Sequence, residues 1–460
     1  MTLPNHNQNA PLEIVIVGAE AAGMSAAAKA RRVAKDARIT VFEQSTVISF
    51  GACGLPYYIG DFFTDAREMS EFSPDDFAAK GIDVKVKHKV LSVDSERQRV
   101  KVCNLADDTV FEQHYDRLLL ATGATPVVPP VPGLDEGLRQ GRVHCVKTME
   151  DGIHLKEIVG SDQVTDVAVI GAGYIGLEMA EALVRQGKRV RIIENASQPL
   201  AGSFDAEVTD LVANSLEKAG VDCCWQESLQ HLIINDHGDL QLITDGASYR
   251  ADLVVLCTGV RPNTHFVADL GLEKLGNGAI ITDDQCRTNV SNIFAAGDCA
   301  TVPHAQLQRP VWIPLATYAN KMGRLAGETM GGLAKQFPGA YGSACLKVMD
   351  LEAGRVGLTQ AEAEREGIDV KTVVIRDKDH TSYYPGQADI LVKLVYEPDS
   401  KKLLGGQVAG GQGAVLRVDA LAAAIKGGLT TEDLGMMDFC YAPPFARTWD
   451  ALNVAGNVAR

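Results

Sequence analysis

Cys53 is the residue of this chain best placed to do chemistry. It lies in Ile48-Ser-Phe-Gly-Ala-Cys-Gly-Leu-Pro-Tyr-Tyr-Ile-Gly60, where Gly51 and Gly54 leave the backbone beside the thiol bare. Pro56 suits the first turn of a short helix beginning near Leu55 or Pro56, and the positive end of such a helix favours the thiolate, the nucleophilic form of sulfur. No second cysteine follows four or five residues on, so the segment offers no closely spaced dithiol and Cys53 is read as working alone. The plain alternative is a small buried hydrophobe, the commonest fate of a free cysteine, and the flanking glycines argue against it.

The elements that must position it follow one plan used twice. The apolar strand Glu13–Val17 runs into Gly18-Ala-Glu-Ala-Ala-Gly23 and an Ala-rich helix to about Val33, and a second strand, Arg38–Phe42, ends at Glu43. The strand Asp166–Ile170 runs into Gly171-Ala-Gly-Tyr-Ile-Gly176 and a helix to about Gln186, and Arg189–Ile193 ends at Glu194. These are βαβ dinucleotide units. Gly18 and Gly171 permit the tight turn, Gly23 and Gly176 let helix pack on strand, and the free helix N-terminal amides face a pyrophosphate. Glu43 and Glu194 stand where a ribose hydroxyl needs an acceptor. One such turn alone is weak, because glycine turns join strands to helices without any ligand; two complete copies with their acids are not. The copies differ at the middle position, which is Gly173 in the second and Glu20 in the first. Each half continues to an apolar strand and a Thr-Gly turn, Leu118-Leu-Leu-Ala-Thr-Gly123 and Val254-Val-Leu-Cys-Thr-Gly259, and Asn292-Ile-Phe-Ala-Ala-Gly-Asp298 follows as a buried strand ending in an acid.

The remaining features narrow the class. A chain of 460 residues predicts two or three domains. A formal net charge of −15 argues against nucleic acid as a partner, so any anionic ligand is held by local features. The N-terminal MTLPNHNQNAP lacks the pattern of a secretory signal and reads as a loose leader. Apolar runs are far shorter than the roughly 20 residues of a membrane helix. Ten scattered cysteines without zinc-type spacing fit free thiols in a reducing cytoplasm, and Cys223 and Cys224 read as two packed thiols in a strand.

The order of these glycine turns, Thr-Gly turns and Gly297-Asp298 resembles the pyridine-nucleotide disulfide oxidoreductases. The segment from Ser49 to Tyr57 resembles the SFxxCGLPY signature of their single-cysteine branch: coenzyme A-disulfide reductases, NADH-dependent persulfide and polysulfide reductases, NADH oxidases and NADH peroxidases. The resemblance implies an α/β fold of two Rossmann-like dinucleotide-binding domains and a C-terminal α+β dimerisation domain. FAD is expected over 11–149 and 277–334, NAD over the inserted 150–276, and the interface domain over 335–460. The implied FAD residues are Gly18, Ala21, Ala22, Gly23, Glu43, Gln44, Ala121, Thr122, Gly123, Gly297, Asp298 and, at the start of a helix facing the flavin pyrimidine, Pro314, Leu315 and Ala316. The implied nicotinamide residues are Gly171, Gly173, Tyr174 as a lid, Ile175, Gly176, Glu178, Glu194 and Gly259. Glu194, with no adjacent arginine cluster, favours NADH over NADPH, although Arg189 and Arg191 keep NADPH open.

Surrounding residues bear on the branch. Oxidases and peroxidases of the family carry a histidine inside the first glycine turn, where this chain has Ala21, so thiol–disulfide exchange is the simpler task. Ser25, Lys29 and Arg32 share one helix face, which read alone is as well explained by a solvated surface. Resemblance to coenzyme A-disulfide reductases makes them, with Ser49, Asn320 and Lys321, an expected coenzyme A site. Tyr383 in His380-Thr-Ser-Tyr-Tyr-Pro-Gly386 and Tyr441 in Tyr441-Ala-Pro-Pro-Phe-Ala read alone as interface or core tyrosines. The resemblance implies instead that both reach the active cysteine of a partner subunit in a homodimer and donate a proton to a departing thiolate. The chain departs from some relatives near Trp449, where they carry a basic residue. The expected activity is NAD(P)H- and FAD-dependent reduction of coenzyme A disulfide or persulfide. An NADH oxidase, or a flavoprotein reductase for a small electron-transfer partner with Cys53 a bystander, is the alternative.

Overall fold

The computed structural model of the chain describes residues 10–235 and 239–459; residues 1–9 of the expected leader lie outside them. The first sheet is parallel, in the order Ile293–Ala295, Arg117–Leu120, Glu13–Val17, Arg38–Phe42, Ile82–Lys85. The second is parallel too, in the order Asp222–Trp225, Arg189–Glu194, Asp166–Ile170, Leu253–Leu256, Val143–Cys145. In both, the strand that feeds the glycine turn is central and flanked by the next strand of its unit and by the strand of the Thr-Gly turn. Helices cover one face of each sheet and a three-stranded antiparallel sheet, His88–His114 in the first unit and Leu229–Ala251 in the second, packs on the other, so these strands are buried on both sides and read as unbroken apolar runs.

The duplication holds at atomic scale. Gly18 and Gly171 both adopt φ +103°, and a Cβ on either would stand 2.2 Å from Ala121 O or 2.4 Å from Cys257 O. The Thr-Gly turns therefore seal the glycine turns from behind. They lead into Ala124–Pro126 and Val260–Pro262, which pair antiparallel and strap the two units together. Thr122 Oγ1 donates to Asn263 O and Thr258 Oγ1 to Val127 O, each at 2.6 Å. Val143–Cys145 lies before the boundary expected at 149 and 150, yet it hydrogen-bonds in the second sheet.

The C-terminal region forms an antiparallel sheet in the order Ala344–Val348, Leu351–Gly357, Leu403–Gly410, Asp389–Tyr396, Lys371–Lys378. The helices Ala414–Gly427 and Ala451–Val458 cover one face, and the second unit covers the other. That second contact contains Lys393, whose side chain is 2 % exposed, with Nζ 3.1 Å from Asp205 Oδ2 and 2.8 Å from Glu207 Oε2. Gln407 Nε2 donates to the same Asp205 at 2.6 Å, so the buried ammonium is shared by two carboxylates and Asp205 is further satisfied by an amide.

Among the described residues no helix is long and apolar enough to cross a membrane. No group of three or more His, Cys, Asp or Glu there is placed to hold a metal.

The helix Ala316–Met330 lies in parallel against Ala21–Val33, and the contact depends on small residues. A Cβ on Gly323 would meet Ala22 O at 2.2 Å and one on Gly327 would meet Ala26 O at 2.3 Å. Backbone cannot yield as a flexible side chain does, so Gly327→Ala must push the helices apart. The expected cost is about 1–3 kcal/mol, read as a lowered urea midpoint with an unchanged slope; a wild-type midpoint would refute the close packing.

Candidate active site

Cys53 sits in a short 3₁₀ turn, Ala52–Gly54, that leads directly into the helix Leu55–Ile59. Two elements hold it. Ser49 N donates to Ala19 O of the first glycine turn at 2.9 Å, and Gly51 N donates to Met69 O at 2.8 Å. On the other side, the Leu55–Ile59 helix is buried against the second unit: a Cβ on Gly60 would come within 3.0 Å of Ala182 Cα, and one on Gly152 within 2.3 Å of Leu55 Cδ2. The cysteine thus stands between the first glycine turn and the helix Tyr174–Arg185 that follows the second. All ten cysteines are free thiols, and solvent reaches Cys53.

The expected lowering of its pKa does not appear. Although solvent touches the residue, the cleft walls crowd it, and this desolvation, then Glu178 and Asp298, raise the thiol above its ordinary value, with Lys147 opposing. A helix of five residues supplies too little dipole to outweigh burial and two carboxyls. Those carboxyls are themselves perturbed. Burial pushes Glu178 up to about 7, against a hydrogen bond accepted from Tyr57 Oη at 3.5 Å. Burial also raises Asp298 and Glu20, and Lys147 Nζ stands 3.7 Å from Glu20 Oε2. The Glu20 side chain that interrupts the first glycine motif therefore turns toward a lysine. Sequence reasoning missed Lys147 and Tyr57. Tyr57 lay inside the quoted cysteine segment, whereas Lys147 had as its signal only the Thr148–Asp151 capping box that follows it.

Both glycine turns fit a dinucleotide. Glu43 accepts from Ala19 N at 2.9 Å and Ser45 N at 2.8 Å, and Glu194 accepts from Ala172 N at 2.6 Å and Ala196 N at 2.8 Å. Each acid is thereby fixed at the rim of its turn, with lone pairs left for hydroxyls. Ser49 has φ +50° and a buried hydroxyl with no partner beside the first turn, which suits a residue that faces a bound group. The second turn opens into a cavity of about 520 Å³ lined by Gly171, Gly173, Glu194, Glu227, Thr258 and Gly259. Arg189 is bidentate on Asp166, and Arg191 lies on Asp222 and over the Tyr249 ring, so neither is free for a 2′-phosphate. Tyr174, Pro314 and Leu315 line an adjoining cavity of about 460 Å³ with Ser203 and Arg355.

The expected substrate residues divide. Ser25 Oγ donates to Asn320 Oδ1 at 2.8 Å, which joins the two helices, and Arg32 and Lys321 are exposed. Lys29 does not offer a free charge, because its Nζ lies 2.8 Å from the buried carboxylate of Glu328. Tyr383 and Tyr441 meet through their hydroxyls at 3.0 Å on the C-terminal region, 72 % and 44 % exposed. No hydrogen bond among the described residues joins either to Cys53.

Two parallel-sheet units with paired glycine turns, and a cysteine held between them, define a two-dinucleotide oxidoreductase fold. The comparisons with known proteins agree. Residues 12–323 match the family described as pyridine nucleotide-disulphide oxidoreductase, and 343–452 match its dimerisation domain. The chain is 38 % identical over 448 residues to an NAD(P)H sulfur oxidoreductase (CoA-dependent) of Pyrococcus abyssi, covering 97 % of this chain and 98 % of the relative. Two solved structures superpose closely. An NAD-dependent persulfide reductase from A. fulgidus gives a TM-score of 0.91 at 32 % identity, covering 97 % of this chain and 82 % of the other. A water-forming NADH oxidase from Lactobacillus brevis, bound to NADH, gives 0.92 at 32 % identity, covering 97 % of each. The chain belongs to the pyridine nucleotide-disulphide oxidoreductase family.

The electrostatics can be tested on protein freed of small molecules. At the pH where a thiol titrates, Glu178 is ionised and opposes the thiolate. Alkylation of Cys53 should therefore rise with pH above the ordinary thiol range, and Glu178→Gln should move that rise to lower pH. An unchanged profile would remove Glu178 from the thiol's surroundings.

Proposed function

We propose that the protein is an FAD-dependent NADH oxidoreductase that reduces coenzyme A disulfide or coenzyme A persulfide through Cys53, as a homodimer. The observation that carries this reading is a solvent-accessible, unpaired thiol held between two dinucleotide turns. Residues 11–149 with 277–334 are read as the FAD unit, the inserted segment as the NAD unit and 335–460 as the interface unit. The exposed apolar side chains of Leu416, Phe445 and Trp449 on that last unit suit a subunit contact.

FAD and NADH, when bound, supply the electron pair. The residues of the chain do the rest. Cys53 loses its proton and attacks one sulfur of the substrate disulfide; that S–S bond breaks, a Cys53–S–S–CoA bond forms, and one coenzyme A thiolate departs. Tyr383 and Tyr441 of the partner subunit are the proposed proton donors to the leaving thiolate. The electron pair then reopens the mixed disulfide, releases the second coenzyme A thiol and restores Cys53. Two thiols form for each disulfide and NADH consumed, with one proton from solvent. Glu178, half-protonated near pH 7 and bonded to Tyr57, keeps a proton within the same cleft. Ala21 stands where oxidases and peroxidases of the family carry a histidine, which disfavours oxygen as the acceptor.

Cys53→Ser should lower disulfide-dependent NADH oxidation by at least about a hundredfold while NADH still bleaches the flavin. Retained turnover would exclude the mechanism, and fast stoichiometric oxygen uptake with NADH alone would favour the oxidase reading. With Glu194 fixed at the rim and both arginines committed, NADH should bind at least about tenfold more tightly than NADPH; equal dissociation constants would refute that assignment.

A further inference from the structure

The two glycine turns share a brace. In each, the carbonyl after the first glycine accepts a hydrogen bond at 2.9 Å from a left-handed residue that is not glycine. Ala19 O accepts from Ser49 N, with φ +50° at Ser49, and Ala172 O accepts from Leu200 N, with φ +55° at Leu200. A peptide is planar and trans, so a bond that fixes Ala172 O also aims the Gly173 N–H to the opposite side. Gly173 caps the helix Tyr174–Arg185 and lines the 520 Å³ cavity, so its N–H is one that a dinucleotide pyrophosphate would meet. Ser49 and Leu200 are therefore counterparts. Ser49 opens the Cys53 segment, and Leu200 opens the turn 200–204, which walls the second cavity with Leu200, Ala201 and Ser203.

The hold on this second turn comes from the C-terminal region. Arg355, 7 % exposed, reaches from the strand Leu351–Gly357 and donates from Nη1 to Ser203 O at 2.6 Å. Ser203 N donates in turn to Leu200 O at 2.9 Å, so three hydrogen bonds run from Arg355 through Ser203 and Leu200 to Ala172. The guanidinium is itself fixed by Glu362 Oε1 at 3.1 Å and Gly357 O at 2.7 Å, and Glu362 is locked in the capping box of the helix Gln360–Arg365. The same turn bears on Tyr174: the Phe204 ring lies 6.4 Å from the Tyr174 ring, and the Ser203 side chain stands beside the Tyr174 hydroxyl. The plain explanation is an ion pair that joins two bodies. That joint is supplied elsewhere, because Asp205 already receives Lys393, Gln407 and the amides of Gln360 and Ala361, and Lys347 pairs with Glu181 at 2.6 Å. Arg355 also buries its Nε without a partner among the described residues, a cost that joining alone does not require.

We propose that Arg355 is a positioning residue for the nicotinamide dinucleotide: through the turn 200–204, the C-terminal region aims the Gly173 amide and holds Tyr174 in place. The assignment rests on the reading of the second unit as the NAD unit. It makes the affinity for NADH a property of the joint between that unit and the C-terminal region.

The test uses FAD-loaded enzyme and two readouts that need no disulfide: calorimetric titration with NAD+, and the NADH concentration at which flavin bleaching reaches half its maximal rate. R355Q should weaken both at least about tenfold, with FAD content and KM for coenzyme A disulfide unmoved. R355K keeps the buried charge but not the fork that reaches Ser203 and Glu362 together, and should weaken both by a smaller factor, about threefold; it decides the matter should R355Q fail to hold FAD. K347Q removes an ion pair between the same two bodies away from the turn, and should leave both readouts at wild type. Unaltered readouts in the Arg355 variants would overturn the proposal and leave the NAD assignment standing. So would an equal weakening in K347Q, which would mark a general loosening of the joint. Gly173→Val, for which the fold has room, should abolish NAD+ binding; wild-type binding by that variant would overturn the NAD assignment and the proposal together.

Discussion

The site depends on one mechanical constraint: the Cys53 turn is gripped from two sides by units that fold around separate sheets. Its backbone is tied to the first glycine turn through Ser49 and Ala19, and the short helix after it is wedged against the helix of the second turn. Neither grip alone would fix the sulfur. A turn and a helix of five residues have little intrinsic stability, so their geometry comes from the two faces they bridge. The strap of Ala124–Pro126 on Val260–Pro262 and the buried Lys393 network then fix how the units and the C-terminal region meet.

The charges around the thiol are arranged against its ionisation. Glu178, Asp298 and Glu20 are all crowded enough to have raised pKa values, and Lys147 is the cation set against them. Such surroundings favour the protonated thiol over the thiolate. Glu178, pushed by burial up to about 7, is the carboxyl of this set whose charge is most readily altered near neutrality.

What the sequence disclosed follows from what is local. The strands Glu13–Val17, Arg38–Phe42 and Asp166–Ile170 begin and end where their patterns place them, because unbroken apolar runs between glycine turns leave few alternatives. The hydrogen-bonded pair of Tyr383 and Tyr441 and the Ser25–Asn320 contact join residues already singled out. The missed features are non-local. That Lys29 is neutralised depends on Glu328, nearly 300 positions away, and no periodicity in the first helix announces it. The sheet membership of Val143–Cys145 depends on a partner at Leu253–Leu256. Cys53's raised pKa comes first from burial in the cleft and then from carboxyls of both units, where the helix start suggested the reverse.

The two glycine turns also separate residues that serve the fold from residues that serve a ligand. Gly18, Gly23, Gly171 and Gly176 are forced by the protein itself, since a Cβ at any of them would lie within 2.4 Å of a backbone oxygen. Gly173 is different: a Cβ there would meet nothing within 4 Å. Folding imposes no demand for glycine at that position, and the first copy shows as much by carrying Glu20 in its place. What a side chain at Gly173 would obstruct is the approach of something to the amides of the turn. A ligand approaching the second turn would account for the glycine there, whereas in the first turn the Glu20 carboxylate is directed toward Lys147, 3.7 Å away.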